Sequence, residues 1–595
     1  MNVLALLQRK LQDALSGLAT DPAVYAVMLR PAQDTRFGDY QANCAMSLAK
    51  QLGKPPREVA QTIAERLQLE DMLAPPVIAG PGFINLTLQS DWLARQLQHM
   101  AGDDRLGVAP VATPRTFVID YSSPNVAKPM HVGHLRSTII GDALARLLRF
   151  LGHKVITDNH LGDWGTQFGI LLYGYKHFLD AEAFAADPVR ELARLYVHVR
   201  KQIKKVVNER GEEEDDPNDP IAQAARDETA RLHAGDQENL RLWREFMPHC
   251  LAEIDATYRR LDILPFDHTL GESFYNPMLA NVVRSLREHG IAQDSNGAVA
   301  VFFAENEAPT IVQKRDGAFT YTTTDLATIR YRLEQWNPDA ILYVVDFRQS
   351  LHFKQLFGIA ARWGQSKVAF EHISFGSVLD EKGKPISTRE GTGASLDSLL
   401  SQAIAAAAEV YEENRKKLLE LGKEVVDLTE EERRQIHEVV GLGAVKYADL
   451  SQNRTSDYKF ILSKMVAMDG NTATYMQYAY VRNRGIFRKA GVEDASFREH
   501  PPLPILDTPE ERALAVQLLR FEEALAAAAV EYKPNVITSY LWDLAKIYSG
   551  FFDKCPVLKA ETPELRQSRL LLCDLTARVI QCGLDLLGIC TVERM

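Results

Sequence analysis

The chain has 595 residues, a length that predicts several domains rather than one compact core. Its 46% hydrophobic and 25% charged residues are typical of a globular protein and argue against a disordered or fibrous chain. The formal net charge of -11 at pH 7 argues against indiscriminate nucleic-acid binding, but it is compatible with a structured RNA partner.

The N-terminal segment and the cysteines exclude several further classes. Apolar residues between Met1 and Leu18 are interrupted by charges, whereas a secretory signal needs an unbroken apolar core. Because no later run is long and apolar enough to span a bilayer, we expect a cytoplasmic protein with no membrane partner. The six cysteines form no C-x-x-C pair, so we predict neither a metal site nor a disulfide framework.

Residues 1–110 predict a small domain of mixed helices and strands. Helical patterns run from Val3 to Leu18 and from Pro56 to Leu67. Strand patterns run from Val24 to Leu29 and from Phe83 to Leu88.

Residues 111–398 predict a parallel α/β sheet with helices on both faces, because strands and helices alternate here. The first alternation is Phe117 to Tyr121, Leu135 to Leu151 and Val155 to Thr157. A long charged stretch, about 176–260, predicts a helical insertion. We expect the sheet to resume afterwards, at Val299 to Phe303, Ile341 to Val345 and His372 to Leu379. Residues 399–595 have no convincing strand pattern and predict an all-helical C-terminal domain.

The run from Ser122 to His134, SSPNVAKPMHVGH, follows a predicted strand and opens a predicted helix. Ligands of parallel sheets bind at this edge, and a helix N-terminus suits phosphate. His131 and His134 project from the same side of the first turn, and Gly133 lets a nucleotide approach the backbone. Two helix-capping histidines are the alternative explanation.

This run resembles the class I aminoacyl-tRNA synthetases, whose signature at this place is His-Ile-Gly-His. In that family the histidines stabilise the ATP phosphates during adenylate formation, so the resemblance implies catalytic roles for His131 and His134. It also implies ATP contacts from Pro124, Lys128 and Gly133.

The residues around the histidines resemble the arginyl-tRNA synthetase family in particular. SSPNVAKP precedes them, and NHLGDWGTQFG occupies residues 159–169. The run YTTTDLA, residues 321–327, resembles the family's arginine pocket. A guanidinium is best satisfied by a carboxylate that accepts two parallel bonds, a role that the resemblance gives to Asp325 with Tyr321 beside it. A helix N-cap is the alternative for this aspartate.

The resemblance implies further contacts with arginine. Asp120 and Asn125 would hold the amino and carboxylate groups, while Glu272 and Gln349 would face the pocket. The family usually has glutamate where this chain has Asp120.

The family's second signature, Lys-Met-Ser-Lys-Ser, corresponds here to GKPISTREGT at residues 383–392. Thr388 occupies the place of the second lysine, which leaves Lys384 and Arg389 as the cations. Ser387 would be a further ATP contact. A charged surface loop is the alternative.

The helical C-terminal part also resembles the family, in NTATYMQYAY at residues 471–480 and in the final Glu593-Arg594-Met595. Aromatic side chains interleaved with arginines suit single-stranded RNA loops, so we predict an anticodon-binding domain. Its predicted RNA contacts are Tyr475, Gln477, Tyr478, Arg482 and Arg488. Bundle core is the alternative for the tyrosines. The run RFGDYQ, residues 36–41, resembles the family's N-terminal domain that contacts the tRNA elbow.

The resemblance covers nearly the whole chain and implies an arginine–tRNA ligase of protein biosynthesis. Such an enzyme uses ATP with Mg²⁺ to form arginyl-adenylate and then loads the 3′ end of tRNA(Arg), releasing AMP and diphosphate. We expect a monomer with no DNA partner. An adenylyltransferase that needs no tRNA and an RNA-binding paralogue that has lost catalysis are the rival hypotheses.

Overall fold

The computed structural model describes residues 1–595 except 68, 128–129, 208–212, 217, 304–307, 385, 387–395, 423–424 and 494, and except the side chains of 213, 214 and 496. Its N-terminal part is a small α+β domain. The strands are β1 (Leu29–Pro31), β2 (Tyr40–Ala42), β3 (Val77–Ala79) and β4 (Phe83–Leu86), and they form an antiparallel sheet in the order β1-β2-β4-β3. The helices are α1 (Val3–Leu15), α2 (Pro22–Ala26), α3 (Cys44–Leu52), α4 (Pro56–Arg66) and α5 (Ser90–Ala101).

The strand predicted from Val24 to Leu29 is wrong for most of its length. Asp21 caps helix α2 there by accepting a hydrogen bond from the backbone N–H of Ala23. Pro22, at the first helical position, has the fixed φ that a helix requires. These local signals outweigh the strand preference of the valines and tyrosine, and strand β1 starts only at Leu29.

A five-stranded parallel sheet lies at the centre of the molecule and confirms the predicted α/β architecture. Its order is β14-β13-β5-β6-β9. The core on one face takes Phe117 and Ile119, and the core on the other takes Val118. The strands are β5 (Thr116–Asp120), β6 (Lys154–Asn159), β9 (His268–Thr269), β13 (Ala340–Tyr343) and β14 (Ala369–His372). Helices α6 (Val132–Phe150) and α14 (Tyr321–Trp336) cover opposite faces.

The predicted helical insertion lies between β6 and β9 and carries one short hairpin of strands. Its helices are α7 (Thr166–Phe178), α8 (Ala181–Ala186), α9 (Pro188–Gln202), α10 (Pro220–His233) and α11 (Gln237–Arg260). The hairpin is β7 (Lys205–Val207) and β8 (Glu213–Asp215).

The strand predicted from Val299 to Phe303 exists but does not belong to the parallel sheet. It is β11 (Ala298–Val301), between β10 (Ala292–Ser295) and β12 (Thr310–Gln313) in a separate antiparallel sheet. Asn296 and Gly297 both have positive φ, the turn that joins neighbouring strands into a hairpin, so β11 pairs locally. The remaining elements here are α12 (Glu272–Tyr275), α13 (Leu279–Glu288), α15 (Ser350–Arg362) and β15 (Val378–Leu379).

The C-terminal part is helical where the structure describes it, as predicted, apart from one short strand. That strand, β16 (Tyr458–Lys459), pairs in parallel with β15. The strand predicted from His372 to Leu379 is wrong for most of its length, because β14 ends at His372 and β15 starts only at Val378, outside the five-stranded sheet. The helices are α16 (Leu396–Glu420), α17 (Glu430–Leu450), α18 (Leu462–Met465), α19 (Ala473–Ala490), α20 (Ala495–Glu499), α21 (Pro509–Leu519), α22 (Phe521–Glu531), α23 (Asn535–Lys554) and α24 (Pro563–Leu586). Across the described residues, no helix has the length and apolarity that crossing a membrane would need.

The N-terminal domain docks on the C-terminal helices through the run RFGDYQ. Arg512 donates two hydrogen bonds to the Asp39 carboxylate, at 2.9 and 2.6 Å. Tyr40 is buried and its hydroxyl donates to Glu523 at 2.6 Å. Arg36 and Phe37 remain exposed. Asp39 and Tyr40 of this run therefore join the two domains, whereas Arg36 and Phe37 face solvent.

Candidate active site

The carboxyl ends of three neighbouring strands bring three side chains together. Asp120 ends β5 and pairs in register with Asp158 of β6 on one side and with Tyr343 of β13 on the other. Arg332 of α14 lies across them. Its guanidinium donates to Asp120 at 2.7 Å and to Asp158 at 2.8 and 3.0 Å. Burial raises the pKa of the Asp158 carboxyl, while the Arg332 charge opposes that rise.

The turn after β5 has an unusual backbone. Ser122 and Ser123 have φ of 69° and 45°, a region that side-chain-bearing residues rarely occupy. The Ser122 hydroxyl lies 2.7 Å from the Tyr258 hydroxyl, and Tyr258 also accepts a hydrogen bond from Asn159. Asn159 in turn accepts the Ser123 backbone N–H. The insertion helix α11 thus holds the turn in the shape that presents Asn125.

His131 and His134 form a reciprocal cap at the start of α6. Nδ1 of His131 accepts the Gly133 N–H, and Nδ1 of His134 accepts the His131 N–H. Their rings stack with centroids 3.9 Å apart. Since each Nδ1 is an acceptor, the neutral rings carry their proton on Nε2. The two histidines therefore do cap the helix, and this cap gives both rings the tautomer that donates through Nε2.

Gly133 lies directly beside the His131 ring. A Cβ at this position would be 2.9 Å from that ring. A larger residue here would therefore require the His131 ring to shift, which would disturb the cap.

The two sequence runs around the histidines bond directly to each other. The backbone N–H of Gly162 donates to the carbonyl oxygen of Pro124, and the backbone N–H of Val126 donates to that of Gly162, each at a distance of 3.1 Å. Asn125 and Gly162 form a bridge at this point. The loop of residues 159–169 therefore supports the turn that carries the predicted substrate contacts.

Glu272 is positioned by the same loop. Its backbone N–H donates to Leu161 at 3.0 Å, and the next residue, Ser273, donates from both its backbone N–H and its hydroxyl to the buried Asp163 carboxylate. Burial raises the pKa of the Glu272 carboxyl, and the nearby Asp163 and Asp325 charges add to that rise. Glu272 and Asp325 thus belong to one acidic region.

Asp325 lies inside helix α14 and is not its N-cap, because Thr320 holds the cap position. The N-cap alternative is therefore wrong. The Asp325 carboxylate accepts a hydrogen bond from Nε2 of His352 at 2.7 Å. The Tyr321 ring, 66% exposed, packs edge-on against His352 with centroids 4.9 Å apart. Gln349 is exposed at the start of α15.

Most of the second signature, with Ser387 and Arg389, lies outside the residues that the structure describes. Lys128, which precedes the first signature, also lies outside them. Lys384 is described, and it closes a tight turn in which its backbone N–H donates to the Asp380 carboxylate at 2.8 Å. Ile386 then returns to pair with Val378. Lys384 therefore sits at a turn directly after β15.

Arg136, on α6, connects the histidine turn with this region. Its side chain is buried and forms an ion pair with Asp449 of α17 at 3.0 Å. It also donates to the carbonyl oxygens of Gly376, at 2.7 Å, and Ser456, at 3.1 Å. The guanidinium packs between the rings of Phe375 and Tyr458. One side chain thus links the first signature, the approach to the second and the helical domain.

The five predicted RNA contacts divide into surface and interior positions. Tyr478 is 43% exposed, and Arg482 lies 3.5 Å over the Phe552 ring. Arg488 donates to the Glu593 carbonyl, and Tyr475 bonds to Ser549. Gln477 is fully buried; its amide donates to the Cys590 carbonyl and accepts the Val592 N–H. Gln477 is therefore corrected from an RNA contact to the anchor of the C-terminal tail.

Sequence reasoning missed the side chains that act through others. Asp158, Arg332, His352, Tyr258 and Arg136 received no role, although Asp158 and His352 stand beside the motifs. Arg332 follows Asp325 by seven residues, two helical turns, and so lies on the same face of α14. That spacing was the available signal.

This edge of the sheet defines the class of protein. A parallel sheet whose first strand leads through a His-x-Gly-His helix cap is the arrangement of a class I aminoacyl-tRNA synthetase. The family model "tRNA synthetases class I (R), catalytic domain" matches residues 96–462. The models "DALR anticodon binding domain" and "Arginyl tRNA synthetase N terminal domain" match residues 476–595 and 5–88.

Relatives and solved structures narrow the class. The chain is 44% identical to the arginine–tRNA ligase of Rhodopirellula baltica over the full length of both, and 44% identical to that of Synechococcus elongatus over 100% of this chain and 99% of the relative. The arginyl-tRNA synthetase structures from Plasmodium falciparum and Thermus thermophilus superpose with a TM-score of 0.81 each, at 26% and 25% identity. They cover all of this chain, and the matches span 98% and 100% of those chains. The chain belongs to the arginyl-tRNA synthetase family.

Proposed function

We propose that this enzyme activates arginine with ATP and transfers it to the 3′ end of tRNA(Arg), releasing AMP and diphosphate. The observation that carries the proposal is the juxtaposition of an acidic pocket on α14 with the histidine cap on α6, at one edge of one sheet. Asp325 suits a guanidinium, and the helix N-terminus suits phosphate. Full-length similarity to named arginine–tRNA ligases supports the same conclusion.

The first step joins the substrate carboxylate to the α-phosphate of ATP, breaks the bond to the β-phosphate and releases diphosphate. His131 and His134 carry their protons on Nε2, because their Nδ1 atoms are acceptors, and these N–H groups supply the donors for the charge that develops on the phosphates. Pro124, Lys128, Gly133 and Ser387 complete the ATP contacts, with Lys384 and Arg389 as cations. Mg²⁺ enters with the nucleotide, held mainly by its phosphates.

The second step transfers the arginyl group from AMP to the terminal ribose hydroxyl of the tRNA. It needs no nucleophilic side chain, because the hydroxyl attacks the adenylate carbonyl and AMP leaves. Asp120 and Asn125 hold the amino acid's ammonium and carboxylate, while Glu272, Tyr321, Asp325 and Gln349 surround its side chain. Catalysis is then mainly alignment and charge stabilisation.

Selection against lysine follows from the guanidinium pocket. Lysine would leave the Asp325 carboxylate without the two parallel hydrogen bonds that a guanidinium donates, a discrimination of about four orders of magnitude in comparable sites. A separate editing site is therefore unnecessary.

The RNA partner binds through the C-terminal helices and the exposed part of the N-terminal domain. Tyr475, Tyr478, Arg482 and Arg488 form the proposed anticodon-loop surface, which combines aromatic rings with cations. Arg36 and Phe37 are the exposed part of the proposed elbow contact. We propose a cytoplasmic monomer with three parts, 1–110, 111–398 and 399–595.

Arginine-dependent ATP–pyrophosphate exchange tests this function. It is measured without RNA, with intact tRNA(Arg), and with tRNA whose terminal ribose is oxidised so that it binds but cannot accept arginine. Because Thr388 replaces the second signature lysine, we expect slow exchange without RNA and fast exchange with either tRNA. Exchange under no condition would favour an inactive paralogue. Fast RNA-independent exchange with no charging would favour an adenylyltransferase.

A further inference from the structure

Helix α14 connects the two ends of the proposed amino-acid pocket. Asp325, on its second turn, faces the guanidinium end and bonds to His352. Arg332, two turns later, is fully buried and bonds to Asp120, the proposed ammonium contact. Seven residues of helix span about 10.5 Å, and this length is fixed by the helix geometry.

Arg332 is clamped from several sides. Asp158 Oδ2 accepts two hydrogen bonds from its guanidinium, from Nε at 3.0 Å and from Nη2 at 2.8 Å. The same Nη2 donates to Asp120 at 2.7 Å. The Tyr343 ring lies against the guanidinium with its centroid 5.5 Å away. Since Asp120, Asp158 and Tyr343 are register partners on adjacent strands, the clamp fixes α14 to the sheet itself.

The clamp also leaves an uncompensated charge. Two carboxylates flank one guanidinium, so Asp120, Asp158 and Arg332 together carry one net negative charge. The side chains of Asp158 and Arg332 have no solvent exposure, and that of Asp120 is 8% exposed. The Ser123 hydroxyl donates to the other Asp120 oxygen at 2.9 Å. Of these three side chains, Asp120 is the one with exposed surface, so the net charge meets a ligand there.

We propose that Arg332 and Asp158 are positioning residues that set the length and the charge of the amino acid accepted, an inference that rests on the proposed function. Arg332 fixes the distance between the Asp120 and Asp325 carboxylates, and hence the number of methylenes between ammonium and guanidinium. Asp158 neutralises Arg332, so that Asp120 keeps its charge for the ammonium. Without Asp158, the Asp120–Arg332 pair would be neutral and would attract no cation.

The length inference is tested with Arg332→Lys, which keeps the charge but loses the planar fork that bridges two carboxylates. Exchange in the presence of tRNA is measured with arginine, with homoarginine and with 2-amino-4-guanidinobutanoate, which differ from arginine by one methylene. The wild type should prefer arginine by about 10- to 200-fold, the range for one methylene. Arg332→Lys should lower that preference by about tenfold.

Arg330→Lys is the matched control, because Arg330 lies on the same helix but pairs with Glu334 on the solvent side. It should leave the preference unchanged. An equal loss for all three amino acids in Arg332→Lys would show a purely structural role and overturn the length inference.

The charge inference is tested with Asp158→Asn, which keeps the size and an acceptor for Arg332. Equilibrium binding is compared for arginine and for 5-guanidinopentanoate, which lacks the ammonium. The variant should bind arginine at least about tenfold more weakly than the wild type does, because charge-assisted hydrogen bonds are stronger than neutral ones. Its affinity for 5-guanidinopentanoate should not change. Equal weakening of both ligands would overturn it.

These outcomes are separable from failure of the proposed function, which would show as no arginine-dependent exchange by the wild type. Thermal unfolding verifies that each variant folds. If Arg332→Lys does not fold, Asp158→Asn supplies the length test, because it removes the charge that holds the Arg332 guanidinium in place. That variant should also lower the preference for arginine over the two analogues, and an equal loss for all three amino acids would overturn the length inference.

Discussion

Nε2 of His352 donates a hydrogen bond to the Asp325 carboxylate over 2.7 Å, so the proposed guanidinium acceptor is oriented by a side chain from the next helix. The carboxylate oxygens have further lone pairs, and a planar guanidinium can bond beside the imidazole.

Asp325→Asn should weaken arginine binding by about 1.5 to 3 kcal/mol, the range for hydrogen bonds to charged groups, because it removes the charge and keeps the size. His352→Ala should weaken binding by about 1 kcal/mol through loss of the orienting bond. His352→Gln, which retains an N–H donor, should recover most of that loss. Calorimetric titration with arginine measures all three. Unchanged affinity in Asp325→Asn would remove Asp325 from the pocket.

His131 serves as a helix cap in the structure and as a phosphate donor in the proposal, and substitutions separate the two roles. His131→Ala removes both and should lower the adenylation rate by about two to three orders of magnitude. His131→Asn keeps a good N-cap but has no Nε2–H at the same reach, so it should keep the thermal stability and still lose most of the rate. Single-turnover adenylation is the measurement, with tRNA affinity expected to stay nearly constant. Full activity in His131→Asn would show that His131 acts only as a helix cap and not as a phosphate donor.

The buried pair of Arg136 and Asp449 should dominate the stability of the junction between the catalytic sheet and the C-terminal helices. Arg136→Met leaves Asp449 without its partner, so the variant should lose about 3 to 5 kcal/mol. The double variant Arg136→Met with Asp449→Leu removes both charges and should regain much of that loss. Urea unfolding of the two variants and the wild type measures the difference. A double variant no more stable than the single one would show that the hydrogen bonds to Gly376 and Ser456, rather than the ion pair, hold the junction.

Lys446 predicts a pH dependence of stability above pH 8. Burial lowers the pKa of Lys446 to about 8, against the opposing attraction of Asp142, while Arg146 lowers it further and Asp262 opposes. A lysine in the unfolded chain titrates near 10.4, so between these values the unfolded state binds more protons than the folded state. The free energy of unfolding contributed by Lys446 therefore rises with pH in this window and is constant below it.

Between pH 8 and pH 9.5, the free energy of unfolding of the wild type should therefore rise by about 1 to 2 kcal/mol relative to that of Lys446→Met. Urea unfolding of both proteins across this range gives the difference, in which the ionisation of groups common to both cancels. Curves that stay parallel would mean that Lys446 keeps its ordinary pKa in the folded protein.

The motifs predicted the edge of the sheet well because they are local. A strand followed by SSPNVAKPMHVGH and a helix places its residues at the carboxyl end of that strand whatever else the chain does, and β5, the turn and α6 lie where the pattern put them. The sheet to which a strand belongs was less predictable. The composition of β11 suits a strand of the parallel sheet, but the Asn296–Gly297 turn pairs β11 with β10, its neighbour in sequence.

By itself, the sequence determined the class of fold, the family and the residues that stand in the motifs, since hydrophobic period and turn chemistry act over a few residues. Only the tertiary structure decided which charges meet. Asp158 and Arg332 are separated by 174 positions, and Arg136 and Asp449 by 313, and nothing in either local pattern names the partner. The tertiary structure also decided that Gln477, which lies between Tyr475 and Tyr478 in the sequence, is buried and bonds to the C-terminal tail. The physical reason is that a buried charge or amide needs its partner within about 3 Å, and long-range folding alone brings the two together.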